Sequence, residues 1–130
     1  MLKFGYTIVY VEDVRATLDF YDRAFGLPTR FVTEDAQFGE LETGATSLAF
    51  ARHDVARESL PAGYRPLSEG PQPAGIEIGL VCDDVGIAFE RAVGAGAAAL
   101  TPPVRKPWGQ TVAYVRAPEG TLVELCTAMG

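Results

Sequence analysis

The sequence has 130 residues, 48% hydrophobic and 22% charged, which fits one folded domain with a modest core and excludes a disordered or fibrous chain. Its net charge of −6 argues against nucleic acid and against anionic membrane surfaces as partners, because both repel an acidic chain. No apolar run reaches the length of a membrane span, MLKFGYTIVYVED does not read as a leader, and the two cysteines lack metal-type spacing; a cytoplasmic protein with reduced thiols is expected.

Along the chain, FGYTIVYV (4–11) alternates and is rich in β-branched and aromatic residues, which predicts a strand. Asp13 can cap the helix that follows, where Val14, Leu18, Tyr21 and Phe25 fall at helical spacing before Gly26 and Pro28 stop it. RFVT (30–33), QFGELE (37–42) and TSLAFA (46–51) predict three short strands separated by turn residues such as Gly44. Residues 52–74 hold four prolines and several charges and read as a linker or a lid. The first pattern then returns. GIEIGLVC (75–82) is a strand, Asp83 and Asp84 cap the helix VGIAFERAV, and GAGAA ends it. AALTPPV, QTVAYVR (110–116) and TLVELCT (121–127) predict three strands, with Pro118-Glu119-Gly120 as the last turn.

The order is β-α-β-β-β twice, and the repeat is visible in the letters. VYVEDVRATLDFYDRAFG aligns with LVCDDVGIAFERAVGAG at an offset of 71, which matches Asp13 with Asp84. The later strands align at 76, which matches Gly44 with Gly120. The expected fold is therefore α+β, a single domain over 1–130 with repeat one at 3–52, a connection at 53–74 and repeat two at 75–128.

VYVEDVRATLDFYDRAFGL and the terminal PEGTLVEL resemble the vicinal oxygen chelate superfamily, the group of glyoxalases, bleomycin resistance proteins and extradiol dioxygenases. The resemblance covers nearly the whole chain and implies paired β-α-β-β-β units whose mixed sheets curl around a cleft, usually in a homodimer. It also implies four cleft positions that hold a metal in metal-using members. These lie on the first and last strands of each unit, with His or Gln on the first strands and Glu on the last. Carried over, the first-strand positions are Tyr6 and Glu77, and the last-strand positions are Leu48 and Glu124.

Only Glu124 keeps the ligand type. Leu48 cannot bind a metal, and a phenol such as Tyr6 is a rare ligand. An extradiol site needs two histidines, and His53 is the only one; by repeat alignment it lies past the fourth strand, away from the site and at the surface. No cofactor is expected, with the alternative of a divalent ion held weakly on Glu77 and Glu124.

Strand alternation predicts what surrounds these positions. Tyr6 shares a face with Ile8 and Tyr10, Leu48 with Thr46 and Phe50, Glu77 with Gly79 and Val81, and Glu124 with Leu122 and Cys126. Val9, Val11, Ile76, Ile78, Leu80, Val123 and Leu125 are expected to pack under the helices. The cleft then has aromatic and aliphatic walls and two acids. Trp108, in KPWGQ, is either a ligand contact or a partly buried loop anchor, and Tyr64 is a weaker candidate. The acids have three outcomes: one stays protonated, they share a cation, or Arg52, Arg105 or Arg116 satisfies them. Cys82 and Cys126 are expected on opposite sides of the sheet and unpaired.

Three functions remain open. One is metal-free sequestration of an aromatic, cationic small molecule, with Tyr6, Ile8, Tyr10, Leu48, Phe50 and Trp108 lining the site. The second is a lyase or isomerase that uses Glu77 or Glu124 as a base, with or without a divalent ion. The third is a non-catalytic interaction module.

Overall fold

Residues 1–129 are described here in a computed structural model. By its contacts the chain divides into two compact units, with the boundary between Pro66 and Leu67. In the first unit, the alternating TIVYV forms β1 (Thr7–Val11). Asp13 accepts a hydrogen bond from the Ala16 amide and starts α1 (Val14–Phe25). Gly26, at φ 68°, ends it in the left-handed conformation that glycine adopts most cheaply. β2 (Thr29–Val32), β3 (Phe38–Leu41), β4 (Leu48–Arg52) and α2 (His53–Ser59) follow. The sheet order is β1-β4-β3-β2, with β1 parallel to β4 and the other pairs antiparallel.

The second unit repeats the plan. β5 (Glu77–Val81) leads to Asp84, which caps α3 (Val85–Gly94) through the Ile87 amide. β6 (Ala98–Arg105), β7 (Thr111–Arg116) and β8 (Leu122–Cys126) complete a sheet of order β5-β8-β7-β6. Pro102 and Pro103 sit in β6, an edge strand, where a missing amide donor is tolerated.

In each unit one sheet face lies under a helix. α1 packs on β2, β3 and β4, where Tyr21 meets Phe50 with ring centroids 5.0 Å apart. Gly39 lets the helix approach: a Cβ there would stand 2.7 Å from Leu18 Cδ1. α3 packs on β6, β7 and β8. Val9, Val11, Val123 and Leu125 are buried as expected, whereas Ile76 precedes β5 and is exposed.

The register corrects one expectation. β1 pairs Val9 with Phe50 and Ile8 with Ala49. Phe50, and with it Leu48, therefore lies on the α1 side and is buried there. Neither shares a face with Ile8 and Tyr10. The cause is one residue: Ala49 follows Gly44 by five positions, while Glu124 follows Gly120 by four. In a strand such a step turns every side chain over.

The expected linker is also not uniform. Its first part forms α2, and Tyr64 beyond it packs on Tyr10 with centroids 4.9 Å apart. Its later part is held by Arg116, which donates to the carbonyls of Leu67, Gly70 and Gly120. A Cβ at Gly120, whose φ is 102°, would lie 2.1 Å from Leu67 O, so the turn accepts this segment only with glycine there.

Candidate ligand-binding site

Glu124 sits in the middle of β8, paired with Gly79 of β5 on one side and Tyr114 of β7 on the other. All three lie on the face away from Val123 and Leu125. The Tyr114 hydroxyl donates to Glu124 Oε2 at 2.9 Å and orients the carboxylate. The other oxygen, Oε1, stands beside the bare backbone of Gly79, 3.7 Å from where a Cβ would be. Glu77, two residues before Gly79 on the same face of β5, completes an acidic pair.

The electrostatics follow. Partial burial pushes the Glu77 carboxyl above its ordinary range, and the Glu124 charge and a hydrogen bond with it add to the effect. The hydrogen bond to Glu124 leads the effects that push the Tyr114 phenol up to about 12, with burial and both glutamate charges adding. Cys126, also on this face, is pushed up to about 11, by burial first and then by Glu124; it donates weakly to Leu80 O at 3.7 Å. Such a thiol is not a nucleophile near neutral pH. Cys82 is raised as well, by burial and by Asp83 and Asp84, and both cysteines are free.

No arginine or lysine among the described residues pairs with Glu77 or Glu124. Arg52 is engaged with Asp54 at 2.7 Å and Arg116 with backbone carbonyls. The expectation that internal arginines satisfy the acids is therefore not met. The donor is Tyr114, which local periodicity did not single out. Hairpin arithmetic could have found it, because the Ala117–Thr121 turn pairs 116 with 122 and thus 114 with 124.

Trp108 is 64% exposed in the β6–β7 turn, and its indole donates to Gln110 Oε1 at 2.9 Å. Gln110 in turn donates to Thr127 O, so the ring is held to its own turn.

In the first unit, Tyr6 lies just before β1 and is 63% exposed. Ile8 and Tyr10 share their face with Ala49 and Ala51, so the counterpart of Glu124 is Ala49 and not Leu48. Glu40, opposite Ala49, is the acid of this face and pairs with Arg30 at 3.0 Å. Phe31 and Phe38 meet beside it. His53 is not a free surface residue: its Nδ1 is hydrogen-bonded to the Tyr64 hydroxyl, and the two rings stack. Burial, then the Arg57 charge, depresses its basicity, with Glu12 opposing.

Among the described residues no three His, Cys, Asp or Glu side chains gather where they could chelate an ion. No helix among them is long and apolar enough to cross a membrane.

Residues 3–125 match the family model described as Glyoxalase/Bleomycin resistance protein/Dioxygenase superfamily. Comparison with curated proteins gives no match. Among solved structures, a glyoxalase-related enzyme from Fulvimarina pelagi is similar at 20% identity and a TM-score of 0.81, covering 98% of this chain and 89% of that one. TioX from Micromonospora sp. ML1 is similar at 22% identity and a TM-score of 0.71, covering 97% and 98%. A glyoxalase/bleomycin resistance protein/dioxygenase family enzyme from Burkholderia phytofirmans PsJN gives 22% and 0.69, covering 96% and 98%. At these identities the likeness concerns the fold.

Proposed function

The chain belongs to the Glyoxalase/Bleomycin resistance protein/Dioxygenase superfamily, and from that premise we propose that it is a small-molecule binding protein that captures an aromatic ammonium compound on the Glu77–Glu124 face. The fold hosts many chemistries, so the reading rests on the site. One observation carries it: Glu124 is oriented by Tyr114 and joined by Glu77, yet no basic side chain neutralises the two acids. Two carboxyls held together without a counter-charge favour a cation supplied by a ligand. An aromatic body suits the apolar surroundings, which include Val81 and Leu122.

The donor chemistry does not fit the tightly held divalent ion of metal-using relatives. The four equivalent positions are Tyr6, Ala49, Glu77 and Glu124, and an alanine offers no donor. Two carboxylates and a phenol fall short of the usual set. This supports capture without a metal.

Calorimetric titration with an aromatic ammonium and its neutral isostere tests the reading. The cation is expected to bind and the isostere not; Glu124→Gln is expected to weaken the cation's binding by at least about tenfold, the scale of a lost charge-assisted contact. Equal binding of both compounds would defeat it.

A second reading, proton transfer by Glu77 in a lyase or isomerase, is favoured by its raised carboxyl. Turnover of a bound compound, lost in Glu77→Gln with binding kept, would select it.

A further inference from the structure

Glycines in this fold differ in what a side chain would meet. At Gly39 a Cβ would collide with Leu18, and at Gly120 with the Leu67 carbonyl, so packing accounts for both. Gly79, in the middle of β5, is different. Its backbone is not left-handed, and a Cβ would meet only Glu124 Oε1, at 3.7 Å, an ordinary contact distance. The same position of the first repeat holds Ile8, by the offset that matches Asp13 with Asp84, so the strand geometry accepts even a β-branched residue. A glycine inside a strand gives up entropy and packing, and such positions often mark the close approach of another molecule.

We infer that Gly79 is a specificity-determining residue whose bare backbone opens a notch beside Glu124 Oε1 for the broad head group of an aromatic quaternary ammonium. Tyr114 holds Oε2, which leaves Oε1 as the oxygen facing the notch. A primary ammonium donates hydrogen bonds to a point and needs no such clearance. A trimethylammonium donates none; it needs charge at close range and room for three methyl groups. Glu77 and Glu124 supply the charge and Gly79 the room. The inference rests on the capture reading above and adds the class of head group.

The probes are 2-naphthylmethylammonium and its N,N,N-trimethyl derivative, titrated into the wild type, Gly79→Ala and Glu124→Gln. The wild type is expected to prefer the trimethyl compound. Gly79→Ala is expected to weaken that compound by about tenfold, the scale of one methyl group in a fitted pocket, and the primary amine far less. Its melting temperature should equal or exceed that of the wild type. Equal effects on the two probes, no effect on either, or a destabilised Gly79→Ala would overturn the notch while leaving Glu124-dependent capture standing. If the wild type binds neither probe, or Glu124→Gln binds both unchanged, the capture reading fails and the notch with it.

Discussion

The Tyr114 hydroxyl holds one oxygen of Glu124 at 2.9 Å, and that contact sets the titration of its neighbours. A phenol raised from 10.0 to about 12 contributes stability that is present below its ordinary value and lost as pH rises through about 12. Ultraviolet titration of the five tyrosines should show one ionising near 12, and Tyr114→Phe should remove that late step. The same variant should cost about 1 kcal/mol by urea unfolding at neutral pH, the usual net worth of such a bond. Glu77 has the same sign. Its carboxyl is raised, so its contribution is fully present below the ordinary value of 4.5 and is lost as pH rises through the shifted one. Glu77→Gln should therefore have a higher melting temperature relative to wild type at pH 8 than at pH 4. An unchanged difference would mean that the two acids do not interact.

Elements here begin and end on local chemistry. Asp13 and Asp84 each accept a hydrogen bond from the residue three positions on, and replacing either by Ala should cost about 1 kcal/mol in chemical unfolding. Gly120 has a larger task, because its turn carries a positive φ and also meets Leu67. Gly120→Ala should cost about 3 kcal/mol or more, from combined strain and overlap, and should speed proteolysis within 67–70. These positions were legible beforehand: both caps precede helical periodicity, and Gly120 closes a recognisable turn. α2 was not, because charges and nearby prolines hid a short helix whose support comes from β1 and β4. The face of Leu48 and Phe50 was misread for a similar reason. Alternation reports which residues share a side, but not which side lies under the helix, and one extra turn residue reverses the answer.

At the scale of the molecule, the charge of −6 should draw in a cationic ligand, and salt should screen that pull. Association of an aromatic ammonium should slow as ionic strength rises to about 0.5 M, where the screening length falls to a few ångström. A salt-independent rate would leave the field of the protein without a part in capture. The sequence by itself determined the two β-α-β-β-β repeats, their helix caps and the acid in the last strand. Each of these depends on period, capping or repetition over a few residues, and local sterics and burial enforce them. Only the tertiary structure decided that Ala49 is the counterpart of Glu124, that Tyr114 rather than an arginine holds that acid, and that His53 is tied through Tyr64 to Tyr10. Those facts depend on register and on contacts between distant segments, where closing a turn by one residue more or less selects the neighbour.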